Sequence, residues 1–410
     1  MTQIQPVILG GDIGAYAIGR SFHEAFGVQS VCLAPAPTEL ITRSEIFRVH
    51  PVASSSDADT LAALLEVAAA NPHARCVLMA NTDFHVDFII RHRAQLEDHY
   101  ALPFPSAEVV AQVSDKVEFA RVCDSLGIRT PRTVVVPLAD PAQGKWAAPA
   151  LDLTFPVVAK TAKGAPYDAV DFPGKRKIYF FTSPEELAEL WGSLRRAGFR
   201  DDFLVQELIP GDNTAMRSIT AYVDSTGEVT LLGSARVLLE DHAPTMVGNP
   251  VAMITKVLPE LWEDAKRFLQ ATGYRGFANF DVKIDPRDGT AYFFEVNPRI
   301  GRNSYYMTAA GHNPMSVMVA DLVNGESVSP RTVTREVLYS LVPLALLKRY
   351  LVSAALRREV AGLARAGRVV DPLRYKADRG LRRRLVVEAQ RLNHFRKFAR
   401  YYPKPTQSSF

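Results

Sequence analysis

Cysteine is scarce in this sequence, and a membrane-spanning apolar run is missing. The 410 residues include three cysteines, Cys32, Cys76 and Cys123, whose wide separation fits no metal-binding or redox spacing. We interpret them as buried free thiols in a reducing compartment. The longest uncharged apolar run near the C-terminus, residues 337–347, is too short to cross a bilayer, and the N-terminus lacks the basic segment of a signal peptide. These absences predict a cytoplasmic protein.

Low-complexity tracts and obvious internal repeats are also missing. Apolar residues make up 47% of the chain and charged residues 22%, as in an ordinary globular protein. Because 410 residues are too many for one hydrophobic core, we expect two to four domains. No Ser-His-Asp or Cys-His grouping is evident that would indicate a covalent nucleophile.

Strand-like and helical patterns alternate in the first hundred residues. The runs PVILGG, SVCLAP and ARCVLMAN are separated by helical patterns. Such alternation predicts a parallel sheet of the α/β class. The turn from Gly10 to Gly14 lacks the full dinucleotide-binding fingerprint, so it predicts no more than a strand-to-helix turn within reach of a ligand.

The segment FANFDVKIDPRDGTAYFFEVNPR has two strand-like runs around the turn sequence PRDG. Side chains two apart in a strand share a face, which groups Asp281 with Lys283 and Glu295 with Asn297. A three-residue loop at 287–289 would place Asp281 directly opposite Glu295, with side-chain roots roughly 5 Å apart. A loop that differs by one residue would place the two carboxylates on opposite faces.

Two carboxylates this close repel each other unless one is protonated or a cation lies between them. Asp281, Glu295 and the amide of Asn297 offer oxygen ligands, and Mg²⁺ fits if phosphate oxygens complete its coordination. A salt bridge to Lys283 is the alternative. It is weaker because one lysine would neutralise one carboxylate and leave Asn297 without a role.

Two arginines follow the second strand. Pro298 ends that strand, and Arg299 and Arg302 lie in the irregular segment after it. Beside a metal–phosphate site, planar guanidinium groups can hold a carboxylate or a phosphoryl group. Taken alone, each would be interpreted as a surface charge.

The hairpin resembles the magnesium hairpin of the ATP-grasp superfamily, through the pattern Asp281 … Glu295-x-Asn297-Pro-Arg299. The sequence NPRIGRNS, with Asn279 two residues before Asp281, is similar to the form found in carbamoyl-phosphate synthetase-type domains. The resemblance implies that two Mg²⁺ ions are held by Asp281, Glu295 and Asn297. It implies contact with the transferred phosphoryl group or acyl phosphate by Arg299 and Arg302, with Asn279 and Lys283 as further catalytic residues.

Other ATP-grasp landmarks occur in the same order as in the superfamily. Lys116 resembles the lysine that opens the ATP-binding region, and Lys160 resembles the lysine that meets the nucleotide phosphates. The stretch VQELIPG resembles the hinge strand that binds adenine, which implies contacts from Gln206, Glu207 and the backbone near Leu208. Ribose would then be bound by Asp212 or Asn213.

The segment between Lys160 and Tyr179 departs from the superfamily pattern. A small glycine-rich loop is expected over the phosphates, but this segment has two glycines and several lysines. Lys163, Lys175 and Lys177 are interpreted either as a phosphate clamp or as charges of a solvated loop.

The resemblance implies an ATP-grasp fold that combines α/β and α+β organisation. Residues 1–110 would form an N-terminal Rossmann-like, pre-ATP-grasp domain. Residues 111–330 would form the ATP-grasp domain, with a lid subdomain at about 130–208. Residues 331–410 would form a basic, helical C-terminal extension.

Members of the superfamily use ATP to phosphorylate a carboxylate, and an amine then displaces the phosphate. Phosphoryl transfer needs positioning and charge neutralisation rather than a covalent nucleophile. The chain length, the form EVNPRIGRNSYYMTAAGHNP and the helical C-terminus are most similar to carboxylate–amine ligases of the D-aspartate ligase kind. Those enzymes join D-aspartate to an amine of a peptidoglycan precursor, so the implied partners are an amino acid and an amine acceptor. The alternatives are a dipeptide or L-amino-acid ligase, and an ATP-grasp kinase that releases a phosphorylated product.

Positive charge is concentrated in the C-terminal part of the chain. From Arg331 onward, 19 Lys and Arg residues face 5 Asp and Glu, a surplus of 14. Because the whole chain has a net charge of +4, the residues before Arg331 carry −10. An acidic body with a basic tail predicts two different partners.

An apolar stripe follows helical spacing in the tail. It consists of Leu381, Leu385, Ala389, Leu392, Phe395 and Ala399. In one interpretation the helix packs on the body of the protein and its basic side is solvated. In the other, the helix lies on anionic lipid at the inner face of the membrane, or binds a nucleotide-linked acidic precursor. The basic residues carry no nucleic-acid recognition motif, so no nucleic-acid partner is expected.

Overall fold

The structure is a computed structural model that describes residues 2–140, 145–162, 167, 169–244 and 246–406. Three β-sheets organise it, one each in the N-terminal, middle and C-terminal parts of the chain. No helix among these residues is long and apolar enough to cross a membrane.

The N-terminal sheet has five parallel strands in the order β3-β2-β1-β4-β5, as the alternating pattern predicted. Its strands are β1 (Ile4–Leu9), β2 (Ser30–Leu33), β3 (Phe47–His50), β4 (Arg75–Ala80) and β5 (Tyr100–Ala101). Its helices are α1 (Ile13–Phe26), α2 (Glu39–Thr42), α3 (Asp57–Ala69), α4 (Asp83–Arg91) and α5 (Arg93–Leu96). The order of strands reverses between β1 and β4, and ligands of open α/β sheets bind at such a point.

The turn after β1 begins the first helix. The side chain of Asp12 accepts a hydrogen bond from the Ala15 N–H and caps α1. Gly14 has to be glycine, because a Cβ there would lie 1.8 Å from Asn81 Nδ2 and 2.9 Å from Arg302 Cγ. The turn therefore brings the backbone close to residues of two other segments.

Two helices, α6 (Ala107–Ser114) and α7 (Lys116–Ser125), lead to a four-stranded antiparallel sheet. Its strands are β6 (Thr133–Pro137), β7 (Val157–Thr161), β8 (Tyr179–Phe181) and β9 (Asp202–Glu207), in the order β6-β9-β7-β8. Helix α8 (Pro184–Arg196) contributes to the same hydrophobic core as the sheet residues Val157, Ala159, Phe203 and Val205. The opposite face of this sheet carries Lys160.

The third sheet has eight strands and holds the hairpin. Its order is β14-β13-β10-β11-β12-β16-β17, and β15 pairs with β11. A short 3₁₀ helix (Asn213–Ala215) precedes the sheet. The strands are β10 (Met216–Val223), β11 (Val229–Glu240), β12 (Pro250–Thr255), β13 (Gly276–Ile284), β14 (Ala291–Asn297), β15 (Arg331–Thr332), β16 (Leu338–Ser340) and β17 (Val369–Val370).

Both faces of the third sheet are partly covered by helices. On one face, α7 and α9 (Pro259–Ala271) share a core with Phe280, Val282 and Phe293. The core of the other face includes residues of α1, α10 (Tyr305–Ala309) and α11 (Pro314–Leu322). The sheet therefore joins the N-terminal domain to the rest of the protein through one continuous core.

The C-terminal part is mostly helical, as the sequence predicted, but it also adds β15, β16 and β17 to the third sheet. Its helices are α12 (Leu344–Tyr350), α13 (Ala354–Arg365) and α14 (Leu381–Tyr401). The domain boundaries near residues 110 and 330 stay a prediction.

Helix α14 does not pack through the apolar stripe that its sequence displays. Its buried residues are Arg383, Val387, His394 and Phe398. Leu381, Leu385 and Leu392 are 71%, 63% and 60% exposed. The helix thus packs on the body, as one interpretation held, but through Val387, Phe398 and two polar residues rather than through the stripe.

Candidate active site

The hairpin of β13 and β14 places Asp281 directly opposite Glu295, as predicted. The predicted three-residue loop, however, is wrong. Asp285 N–H donates to the Thr290 carbonyl at 2.8 Å, so four residues form the turn, and near it Lys283 pairs with Tyr292. A β-bulge at Phe294 then shifts the register by one residue. With this turn alone, Asp281 and Glu295 would lie on opposite faces of the sheet. The bulge places them opposite each other on the same face.

Asp281, Glu295 and Asn297 lie on the face of the sheet away from Phe280, Val282 and Phe293. The Asn297 amide donates to Asp281 Oδ2 at 3.3 Å. Burial, and then the negative charge of Glu295, raises the pKa of Asp281. The oxygens of these three side chains form a donor set that suits a hard cation such as Mg²⁺.

Glu295 forms an ion pair with a lysine of helix α7 rather than with Lys283 of the hairpin. Lys116, the first residue of α7, places its Nζ 2.5 Å from Glu295 Oε2. This ammonium group lowers the pKa of Glu295. One carboxylate of the pair is thus ion-paired, whereas Asp281 has no lysine or arginine partner among the ion pairs of the described residues. A site for additional positive charge remains at Asp281.

Lys283 forms no ion pair with Asp281 or Glu295 in the described part of the chain, so the alternative salt bridge is wrong. Its side chain is buried, which lowers its pKa, and the charges that oppose this shift are Glu240, Asp212 and Asp285. Lys283 therefore interacts with these three carboxylates, next to the Asp281–Glu295 pair, rather than with the pair itself.

Lys160 reaches the hairpin from the four-stranded sheet. Burial lowers the pKa of Lys160, Glu295 and Asp281 oppose this shift, and Lys116 adds to it. Lys160 and Lys116 therefore flank the carboxylate pair from two elements that are distant in sequence.

The other lysines of the segment after Lys160 take different positions. Lys177 also lowers the pKa of Lys160 by its charge, which places it near the site. Lys175 donates to the Val170 carbonyl at 2.6 Å and lies 5.0 Å from the centre of the Tyr167 ring. Lys163 lies outside the described residues. Among the described lysines of this segment, Lys177 thus acts on Lys160 by its charge, whereas Lys175 contacts Val170 and Tyr167.

The predicted hinge begins at the end of β9. Pairing of Val158 with Gln206 and of Lys160 with Leu204 puts Gln206 on the same face as Lys160, and its amide donates to Thr133 Oγ1 at 2.9 Å. Glu207 alternates to the other face. The Leu208 N–H donates to the Pro156 carbonyl at 3.4 Å.

The two predicted ribose ligands differ in their contacts. Asp212 accepts hydrogen bonds from the Thr214 N–H at 2.8 Å and the Thr214 hydroxyl at 2.6 Å, which caps the 3₁₀ helix. Asn213 is buried, and its amide donates to Glu240 Oε2 at 3.0 Å. Burial raises the pKa of Glu240 to about 7. No pattern in the sequence indicated that Glu240, at the end of β11, would lie near this site.

Asn279 lies beneath the carboxylates. Its Oδ1 accepts hydrogen bonds from Thr220 at 3.0 Å and Ser218 at 3.2 Å, and its carbonyl accepts one from the Asn297 amide at 3.2 Å. A Cβ at Gly301 would approach Asn279 Oδ1 to 2.5 Å. Asn279 is thus buried between the strand and the arginine segment, where it orients Asn297.

The two arginines extend from the hairpin to the N-terminal domain. Arg299 Nε lies 2.8 Å from Asp83 Oδ1, and its Nη2 donates to Asn297 Oδ1 at 3.0 Å. Arg302 Nε lies 2.8 Å from Asp12 Oδ2. Asp12 and Asp83 follow β1 and β4, so both arginines end at the point where the strand order reverses.

Sequence reasoning missed the acidic side of this junction. Burial opposes ionisation of Asp12, but the Arg302 charge and the Ala15 N–H overcome it and lower the pKa of this carboxyl. Asn81, just after β4, is buried, and its Oδ1 has no hydrogen-bond partner among the residues that the structure describes. The turn sequence GGDIG and the rule for strand-order reversal together could have indicated this place.

Comparison with known proteins identifies the family. The family described as "Carbamoyl-phosphate synthase L chain, ATP binding domain" matches residues 115–330, more than half of the chain. The chain belongs to this family. The matched range contains Lys116, Lys160 and the whole β13–β14 hairpin.

A curated relative matches over nearly the whole length. The D-aspartate ligase of Enterococcus faecium (strain Aus0004) is 29% identical over 409 residues, which cover 97% of this chain and 96% of that enzyme. The chain is therefore an ATP-grasp carboxylate–amine ligase similar to the D-aspartate ligase kind, an ATP-dependent enzyme that forms a C–N bond and releases ADP.

Solved structures share the ATP-grasp fold. An ADP complex of PurK, N5-carboxyaminoimidazole ribonucleotide synthetase, has a TM-score of 0.56 at 17% identity and covers 82% of this chain and 80% of that one. The biotin carboxylase domain of Hydrogenobacter thermophilus 2-oxoglutarate carboxylase has a TM-score of 0.56 at 18% identity over 79% of this chain and 71% of that one. That structure contains MgADP. The description of the family names ATP, and the latter structure shows that this fold can hold MgADP.

Proposed function

We propose that the protein activates the carboxylate of an amino acid as an acyl phosphate and joins it to an amine, with D-aspartate as the acid and a peptidoglycan precursor as the amine. The observation that carries this proposal is the row of groups from Lys160 through the hairpin carboxylates to the Arg302–Asp12 pair. It runs from the four-stranded sheet of β6 to β9, here called the lid sheet, to the N-terminal domain. One end of this row suits nucleotide phosphates, and the other suits a zwitterion.

At the nucleotide end, the proposal assigns charge neutralisation to Lys116 and Lys160. Asp281, Glu295 and Asn297 would hold two Mg²⁺ ions, which neutralise phosphate oxygens when bound. The adenine would contact Gln206, Glu207 and the backbone near Leu208, and we assign ribose to Asp212. Asn213 is less suited because its amide already donates to Glu240.

At the amino-acid end, guanidinium and carboxylate groups alternate. Arg299 and Arg302 can hold carboxylates or the transferred phosphoryl group, and Asp12 and Asp83 can receive an ammonium group. Aspartate has two carboxylates and one ammonium group, so it offers a partner for each kind of charge. The choice of the D-isomer and of a cell-wall precursor rests on similarity to the Enterococcus enzyme.

The reaction has two steps in this proposal. A carboxylate oxygen of the amino acid bonds to the γ-phosphorus of ATP, and the bond to ADP breaks. The amine nitrogen then bonds to the acyl carbon, and phosphate leaves with the former carboxylate oxygen. The lid sheet that carries Lys160 would exclude water from the acyl phosphate between these steps.

The experiment measures ADP release with D- and L-amino acids, each alone and with nucleotide-linked cell-wall precursors. We expect turnover to require D-aspartate and the precursor together. Turnover with two free amino acids would favour a dipeptide or L-amino-acid ligase. Hydroxylamine separates a ligase from a kinase, because it forms a hydroxamate with an acyl phosphate but not with a stable phosphoester.

The metal assignment has a matched pair of variants on one hairpin. Glu295→Gln should lower turnover roughly 100-fold or more, since it removes a carboxylate charge that would hold the Mg²⁺ ions. Asp288→Asn, an equivalent change at an exposed carboxylate in the turn, should leave turnover unchanged. Unchanged ATP consumption by Glu295→Gln with normal folding would contradict the assignment.

A further inference from the structure

The last helix displays an apolar stripe to solvent. Leu381, Leu385 and Leu392 are 71%, 63% and 60% exposed, and Phe395 is 39% exposed. Their spacing places them on one side of α14, over about 21 Å at 1.5 Å per residue. Isolated exposed leucines are ordinary, but a stripe of four large apolar side chains along one helix marks an interaction surface.

Contacts at both ends fix this orientation. Near the beginning of α14, Arg383 Nε lies 2.9 Å from Asp378 Oδ2, and both side chains are almost completely buried. Near the end, Lys397 Nζ lies 2.5 Å from Asp241 Oδ2, and the Phe398 ring lies 4.9 Å from that of Tyr350. Turning the helix to bury the stripe would break these contacts, so the stripe stays outside.

The charges that flank the stripe are positive. Arg382, Arg384, Arg396 and Arg400 are exposed, and none has an ion-pair partner among the residues that the structure describes. The one acidic residue of α14, Glu388, is already paired with Arg374 and Arg391. The surface therefore has apolar groups in the middle and uncompensated positive charge at its edges.

Helix α12 contacts the buried side of α14, and exposed apolar and basic residues lie at its end. The ring of Tyr350, at the end of α12, lies tilted against that of Phe398, and its hydroxyl donates to the Tyr402 carbonyl at 2.7 Å. Val352, two residues later, is 64% exposed. Lys348 and Arg349, which precede Tyr350, are exposed as well.

We propose that this surface docks on a lipid bilayer with anionic headgroups, with the leucines in the acyl boundary and the arginines at the headgroups. An apolar stripe bordered by arginines is the pattern of a helix that lies in a membrane interface. A second copy of the chain fits less well, because a symmetric contact would bring the arginines of α14 against arginines, and Glu388, the one acidic residue of this helix, is already paired. The inference is independent of which acid and amine the active site joins.

The test is sedimentation of the full-length protein with vesicles in the absence of substrates. We expect binding to vesicles that contain phosphatidylglycerol, weak binding to phosphatidylcholine alone, and loss of binding at high salt. Leu385→Gln with Leu392→Gln should lower the partition coefficient at least tenfold, and Arg382→Gln with Arg396→Gln should do so by roughly tenfold or more.

Val257→Gln is the matched control, because Val257 is 44% exposed and lies outside this surface. It should bind vesicles like the wild type. ATP turnover with soluble substrates and the urea midpoint should be the same in all of these proteins, which separates failure of docking from failure of the active site or of folding. Equal vesicle binding by the leucine variant and the wild type would overturn the proposal. A concentration-dependent dimer that the leucine changes abolish, without any lipid binding, would also overturn it.

Discussion

Single ion pairs connect the hairpin to the N-terminal domain. Arg302 meets Asp12 at 2.8 Å, and Arg299 meets Asp83 at the same distance. A guanidinium group has a planar fork of donors, whereas a lysine ammonium does not, so the two cations are not equivalent at such a place. The proposed function assigns this junction to the amino acid rather than to the nucleotide.

Arg302→Lys tests that assignment at the residue scale. We expect the KM for the amino acid to rise roughly 10- to 100-fold, because a charge-assisted hydrogen bond is lost, while the KM for ATP changes little. Steady-state kinetics with each substrate varied in turn measures both. Arg287→Lys, at the exposed turn of the same hairpin, is the control. A rise in the KM for ATP alone would assign Arg302 to the nucleotide.

Helix α14 buries a face that contains polar residues, and one of these is a histidine. His394 lies on the buried face, and its Nδ1 has no hydrogen-bond partner in the described part of the chain. Burial lowers the pKa of His394 to about 4, and the charges of Lys397 and Arg302 add to this shift, whereas Asp241 opposes it. The folded state therefore holds this imidazole neutral at a pH where the unfolded chain would bind a proton.

The sign of the pH dependence follows from this shift. Because the folded pKa is below the unfolded value of about 6.5, stability is present above pH 6.5 and is lost as pH falls toward 4. We expect the free energy of unfolding to fall relative to His394→Gln by up to about 1.4 kcal/mol per pH unit in that window. Urea titrations at several pH values measure the difference.

Exposed His99 provides the control for this titration, and His99→Gln should follow the wild type. Other groups that titrate in the same window contribute equally to the wild type and to the variant. Parallel stability curves for His394→Gln and the wild type would contradict the prediction.

At the scale of the whole molecule, the C-terminal helix ties back to the N-terminal domain. Asp378 accepts hydrogen bonds from Ser44 Oγ at 2.6 Å, from Tyr16 OH at 2.9 Å and from the Glu45 N–H at 2.9 Å, besides its ion pair with Arg383. Residues more than 300 positions apart thus meet in one buried group. This joint holds the N-terminal domain at the side of the active site.

Arg383→Met should lower the free energy of unfolding by about 3 to 5 kcal/mol, because it leaves the Asp378 carboxylate buried without its counter-charge. Chemical denaturation measures this loss. Arg383→Met combined with Asp378→Asn should recover part of it, since the uncompensated charge is then gone. Arg384→Met, at the exposed neighbouring position, should change stability little. A small effect of Arg383→Met would mean that the joint does not hold the two parts together.

The sequence by itself determined the local arrangement of the hairpin side chains to which we assign the metal ions. Alternation along two strands placed Asp281, Glu295 and Asn297 on one face, and the parallel N-terminal sheet followed from its alternating pattern. These features depend on neighbours within a few residues, so local spacing is sufficient to predict them. The pairing of Asp281 with Glu295 was predicted correctly from an incorrect turn, because a bulge at Phe294 offset the longer loop.

Only the tertiary structure decided which distant groups meet these residues. Lys116 rather than Lys283 pairs with Glu295, and Asp12 and Asp83 receive the two arginines. The structure also turned the apolar stripe of α14 outward, because Arg383 has a buried partner that the stripe lacks. Spacing along the chain gives the direction of each side chain within its own element, whereas its partner depends on how separate elements pack in space.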